Sequence, residues 1–391
     1  MNIVATIVGL VVVLLTVADV VLTMVLPRRP SGIERLSLQV NRFVRICFVF
    51  ASHLANSYER QDAILAPTGP VALVVQLLFW AACLILGFGL LLVGAGVAFG
   101  DALMQALTAA FTVGAVHVGG TPDTGVDISI GAIWVVIVAL QIAYLPALYS
   151  SFNRRESLVA LLESRAGVPA WGPELLARHQ LVGIMDTLPD LYADWEVWAA
   201  DVAESHTTYP VLLLFRSPEP WYSWLLGLLA VLDGAAMHLA LAPSEASSQA
   251  RLCLRMGFTL LNRIATMLGW EVDPDPNPEG PIQLTFTEFE RAVAMLESVG
   301  FATERRAEEA WADFRGWRVN YESVAYRLAD RLTVPPAPWS GQRSHMRSGP
   351  VEPRRPPQRR PGGAEPFTYG RPVVVIEPQP RRFIGRGRGR S

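Results

Sequence analysis

With 391 residues, 51% of them hydrophobic and 17% charged, the chain has room for two or three domains, and its long apolar runs exclude an exclusively water-soluble protein. All 33 basic residues are Arg, and they are segregated: six Arg stand against seven acids before residue 150, 15 against 25 from 150 to 334, and 12 against three from 335 onward, so that a net of −10 precedes a net of +9. Cys47, Cys83 and Cys253 have neither CxxC nor zinc spacing, and no Gly-rich phosphate cradle, nucleophile elbow or HExxH is present, so neither an enzyme nor a cofactor is expected.

The first element is an apolar run from Asn2 to Leu26, closed by Pro27-Arg28-Arg29-Pro30. It lacks a positive n-region and is too long for a signal peptide, which predicts a retained transmembrane helix over 1–26. Asp19 lies inside it, about two turns from Pro27, close enough to reach the interface or to pair with Arg28 or Arg45. In the linker 27–69, Ile33, Leu36, Val40, Phe43, Val44 and Cys47 fall at helical spacing with Arg35, Arg42 and Arg45 between them. An amphipathic helix is predicted, lying along the inner membrane face or packed on the soluble part; both placements stay open.

A second span is expected from about Val71 to Phe99. Ala102 to Phe111 is an uncharged helix-forming run that, at ~1.5 Å per residue, covers only about half of a ~30 Å bilayer core. It leads into Thr112-Val113-Gly114 and a polar loop holding Gly119, Gly120, Thr121, Pro122 and Asp123, after which an apolar run long enough to cross begins at Ile128. Span, half-span, loop, span is the order of a re-entrant module, in which non-helical backbone at membrane depth lines a wet cavity.

Residues 70–155, with Thr112-Val113-Gly114 after the half-span and Asn153-Arg154-Arg155 closing the third span, resemble the pore-loop potassium channel superfamily. The resemblance implies a pore helix, filter carbonyls from Thr112, Val113, Gly114 and Ala115 that bind monovalent cations, His117 at the pore mouth, and a homo-tetramer around one pore. The family signature Thr-Val-Gly-Tyr-Gly-Asp is altered here, with Ala115, Val116 and His117 in its last three places and Pro122 falling late. A β-branched Val meets a steric penalty at the positive φ that Gly tolerates. Pro146, near the inner end of the third span, removes a backbone donor and is the gate candidate.

Six Arg and three acids between residues 27 and 67 put that segment in the cytoplasm by the positive-inside bias and the N-terminus outside. The acidic pore loop then lies outside and Arg154-Arg155 inside. From 156 to 335, apolar residues three and four apart predict a helical cytosolic domain. Its seams are Leu191, Trp195, Trp198 and Val202; then Leu252, Met256, Leu260, Ile264 and Met267; then Phe286, Phe289, Val293 and Leu296, stopped at Gly300; and Ala307, Trp311, Phe314, Tyr321, Val324 and Leu328. Trp221 to Leu241 is apolar enough to cross, but it holds Asp233 and His238 and is read as a buried core helix. Asp194, Glu196, Asp201, Glu204 and His206 gather on one helix, a solvated acidic face or, alternatively, a metal site. Residues 336–391, dominated by Pro, Gly and Arg, form a tail expected to be disordered and attracted to anionic lipid; nucleic-acid binding is not expected.

The expectation is an all-α membrane protein with three transmembrane helices, a re-entrant pore helix and loop, an all-α cytosolic domain and a disordered tail. Absence of Lys suits a GC-rich bacterial genome, hence a multi-pass protein of a bacterial plasma membrane. Two functions compete: a passive cation channel biased by its cytosolic domain, and a non-conducting membrane-anchored regulatory or scaffold protein that has kept the pore fold.

Overall fold

A computed structural model describes residues 2–26, 36–111 and 124–343. Among these residues the chain is helical and contains no β-strand. The helices of the first half are α1 (Ile3–Met24), α2 (Leu36–Ser52), α3 (Tyr58–Leu65), α4 (Thr68–Ala95), α5 (Phe99–Phe111) and α6 (Thr124–Ala166). Those of the second are α7 (Gly172–Val182), α8 (Leu188–Thr208), α9 (Trp224–Leu241), α10 (Ser248–Met267), α11 (Phe286–Ser298), α12 (Ala307–Arg318) and α13 (Glu322–Leu332).

Four helical stretches are long and apolar enough to cross a membrane: α1, the α3–α4 stretch, α6 and α9. The first three leave large apolar side chains bare, among them Val4, Leu14, Val74, Leu78 and Ile142, a surface suited to lipid rather than water. α9 differs, because all 18 of its residues are covered by protein and none is left for lipid.

Helices α1 and α4 cross through small residues. A Cβ on Gly9 would come within 2.5 Å of the Gly87 carbonyl oxygen, so the two backbones touch there, as small residues permit in apolar surroundings. Asp19 lies buried just beyond that crossing. Its carboxylate accepts from Trp80 Nε1 at 2.8 Å and from the Ser37 N–H at 3.2 Å, which caps the start of α2 and ties α1, α2 and α4 together. Among the described residues Asp19 thus caps a buried helix start rather than pairing with Arg45; Arg28, the other expected partner, lies outside the described residues.

On α2 the expected apolar face is split. Val40 and Val44 are buried, with Phe48 beside them, in a cluster that includes Ala72 and Leu73 of α4 and Tyr144 and Leu148 of α6. Leu36, Phe43, Ile46, Cys47, Phe50 and Leu54 instead point outward. On α10, Leu252 is exposed and Cys253 and Leu254 face inward. The seam from Ala307 to Leu328 is broken between Arg318 and Glu322 into two helices.

That break has a purpose in the packing. It lets Arg318, Tyr321 and Glu322 converge on Asp233 at the centre of α9. Tyr321 donates its hydroxyl to Asp233 at 2.8 Å, Arg318 pairs with Asp233, and Arg318 Nε donates to Glu322 at 2.9 Å. Glu322 also accepts from the Leu284 N–H at 3.1 Å. Burial pushes the Asp233 carboxyl up to about 6, against the pull of Arg318. Arg318→Leu, which leaves two buried carboxylates uncompensated, should cost about 3–5 kcal/mol, and Tyr321→Phe about 1–3 kcal/mol. Denaturant unfolding of the purified protein measures both, and an Arg318→Leu midpoint equal to wild type would refute the central role of this network.

Candidate functional site

α5 is 13 residues long, about 20 Å, and begins three residues before the predicted half-span. Its buried face is Ala102, Ala106, Ala109 and Ala110, small enough for close approach on both sides. A Cβ on Gly89 of α4 would lie 3.6 Å from the Leu103 Cα, and one on Gly131 of α6 would lie 3.4 Å from the Ala109 carbonyl oxygen. Two further contacts fix the direction. Gln105 Nε2 donates to both Asp127 carboxylate oxygens, at 3.0 and 3.1 Å, and the Phe111 ring meets Trp134 edge-on at 5.5 Å. Gln105 is thus level with the first turn of α6, and Phe111 with a position about 10 Å further along it. α5 and α6 run side by side in the same sense.

The filter candidates Thr112, Val113, Gly114 and Ala115, the altered Val116 and the mouth candidate His117 lie outside the described residues. Pro146 is inside α6, exposed on the face opposite the buried Tyr144 and Leu148. Rather than ending at Asn153-Arg154-Arg155, α6 continues unbroken to Ala166.

The end of this long helix enters a dense junction. Arg155 is fully buried, and its guanidinium donates to the Leu212 carbonyl at 3.1 Å, the Phe215 carbonyl at 2.9 Å and Glu156 at 2.7 Å. Its Nη1 lies 3.0 Å from His206 Nε2, and since a guanidinium only donates, that nitrogen accepts. The His206 proton is therefore on Nδ1, facing Ser205 Oγ at 3.1 Å. The Trp198 indole donates to the Arg155 carbonyl at 3.0 Å, and exposed Arg154 pairs with Asp201 at 3.0 Å. Phe215 packs on Tyr149 and Phe152 of α6, and a Cβ on Gly69 of α4 would meet its ring at 2.4 Å. One segment after α8 thereby locks the start of α4 to the far end of α6.

Two expectations about α8 change. His206 turns inward to Arg155 while Asp201 turns outward to Arg154, so the acidic cluster does not converge on a metal; among the described residues no three such groups do. Sequence reasoning assigned Arg155 only to a helix end. Apart from the adjacent Glu156, its side-chain partners lie 51 to 60 positions away, and nothing local signals them.

Burial, and then the Arg155 cation, hold the His206 imidazole well below its ordinary pKa of 6.5. A base so depressed favours the folded state while neutral, so stability falls as pH drops below about 6.5. By pH 5 the loss from His206 should reach about 2 kcal/mol. His179 is also lowered by burial and His238 is brought down to about 4, so the informative quantity is the wild type against His206→Gln. The variant should lose less stability between pH 7 and 5; parallel melting curves would contradict the assignment.

No family model, curated protein or solved structure matches the chain.

Proposed function

We propose that the chain is a passive cation channel in which α1, α4 and α6 cross the membrane, α5 is a re-entrant pore helix, and four copies share one pore. The observation that carries the reading is the parallel course of α5 beside α6, fixed by Gln105–Asp127 and Phe111–Trp134. A helix about 20 Å long that starts level with the beginning of α6 and runs alongside it ends inside a ~30 Å core. Its last carbonyls lack intrahelical partners and carry the negative end of the helix dipole, which favours a cation at mid-membrane. Non-helical backbone at that depth is tolerated where it lines water.

In this arrangement the helical domain is cytoplasmic and the N-terminus outside, and the domain biases a gate near Pro146 through α6. The Arg155 junction supports such coupling, because movement of the inner end of α6 must carry the Leu212–Phe215 segment with it. Ala115 and Val116 leave the rival reading, a pore fold retired to scaffolding, as the alternative outcome of the same experiment.

Purified protein in liposomes should pass potassium or sodium down a gradient, and its mass in detergent should correspond to four copies. Flux absent from wild type but restored by Val116→Gly would establish the retired pore. Absence of flux from both, or a monomer, would overturn the channel.

A further inference from the structure

We propose that a cleft between α2, the α3–α4 corner and α13 binds an anionic phosphate group, supplied by an acidic phospholipid of the leaflet on which α2 lies. The cleft holds about 30 Å³ and is lined by Arg45, Arg216 and Arg331 with Val49, Leu65 and Leu332. That is room for about two waters, so a phosphate seats at its mouth rather than being swallowed.

The three guanidiniums are not equivalent. Arg216 is committed: it pairs with Asp62 and donates to the Leu332 carbonyl at 2.7 Å, the Tyr58 hydroxyl at 2.8 Å and the Thr333 carbonyl at 3.0 Å. Arg45 and Arg331 have no hydrogen-bond or ion-pair partner among the described residues, and Arg45 Nε is sealed from solvent without an acceptor. Arg42 and Arg327 add to the same field. Burial first, then Arg45, Arg42 and Arg327, bring the Arg331 guanidinium down to about 10. Asp62, at the α3 corner, is committed to Arg216. Half-buried guanidiniums that repel one another and keep free planar donors are the complement of a phosphate, which accepts two donors at once.

The outer face of α2 indicates where the phosphate comes from. Phe43, Ile46 and Phe50 are 54–75% exposed and form one stripe along the helix, with exposed Leu54 in the turn just past its end. Arg42 and Arg45 lie about 90° to 140° round from it. A helix with its stripe among acyl chains holds those two Arg at headgroup height. The inference needs α2 at a membrane surface and is independent of conduction.

The full-length protein is reconstituted in phosphatidylcholine bilayers, alone, with phosphatidylglycerol, or with inorganic phosphate in the buffer, and its thermal midpoint is measured. Phosphatidylglycerol should raise the wild-type midpoint by several degrees. Arg331→Gln should melt higher than wild type in phosphatidylcholine alone, because repulsion is relieved; with Arg45→Gln added, most of the phosphatidylglycerol shift should vanish. Arg251→Gln, on the exposed face of α10, should behave as wild type. A shift from inorganic phosphate that equals the lipid's and is lost in the double variant keeps the anion site and assigns it a free phosphate. No shift in wild type, or equal shifts in wild type and double variant, would overturn the proposal.

Discussion

The joining of α4, α6 and α8 depends on a buried cation, the Arg155 guanidinium, sealed near the far end of the longest helix. A charge taken out of water is tolerable only if nearly every donor finds an acceptor. Two backbone carbonyls, a neutral imidazole and a carboxylate do so here, and three of the four come from beyond residue 200. The Leu212–Phe215 segment therefore has to lie against α6. Once it does, the Phe215 ring fills the space that Gly69 leaves open, and α4, α6 and α8 are fixed relative to one another. A side chain at Gly69 or a charge on His206 would disturb the same knot from opposite sides.

The pattern recurs with different acceptors. Arg216 closes the α3 corner against the end of α13 through Asp62, Tyr58 and two carbonyls, and Arg318 closes α12 and α13 on α9 through Asp233 and Glu322. Each joins elements far apart in sequence with a rigid fork that an ammonium cannot imitate. In a chain whose every basic residue is Arg, this fork is the common means of binding one layer to the next. Against that pattern, the half-buried Arg45 and Arg331 have no acceptor among the described residues, and Arg315 Nε also lacks one.

Local periodicity carried the helices well, and long-range pairing was invisible to it. The first span, the half-span and the seam of α8 were legible because apolar residues recur at helical spacing there, with Pro or Gly near their ends. The polar residues of the 221–241 run marked it as a core helix, and of these Asp233 is met by Tyr321 and Arg318 while His238 sits between the Tyr192 and Phe301 rings. Hydropathy failed on α2, where two apolar faces at different angles, one for α4 and one exposed, merge into a single broad stripe when read linearly. It failed on α10 by one position, because Leu252 and Cys253 differ little in apolarity. His206 was read with Asp201 because they lie on one helix, yet a side chain five positions along sits on the opposite face. The filter candidate, Thr112 to His117, is where sequence resemblance said most and where the described residues contribute only the frame of flanking helices.

That frame constrains motion. α6 is held near its start by the Gln105–Asp127 bond and near its end by the Arg155 junction, and between them it is one continuous helix. Pro146 is the interior position whose backbone has no N–H, so the carbonyl one turn before it, at Ile142, lacks its usual donor. Ile142 and Pro146 both lie on the exposed side, where water or a neighbouring chain can satisfy that carbonyl, while Tyr144 and Leu148 keep the other side packed. Bending concentrates where a helix lacks a hydrogen bond and its convex side is free. With both ends pinned, a bend at Pro146 cannot be absorbed by fraying. It must displace the Arg155 junction and the helices bound to it, or be resisted by them.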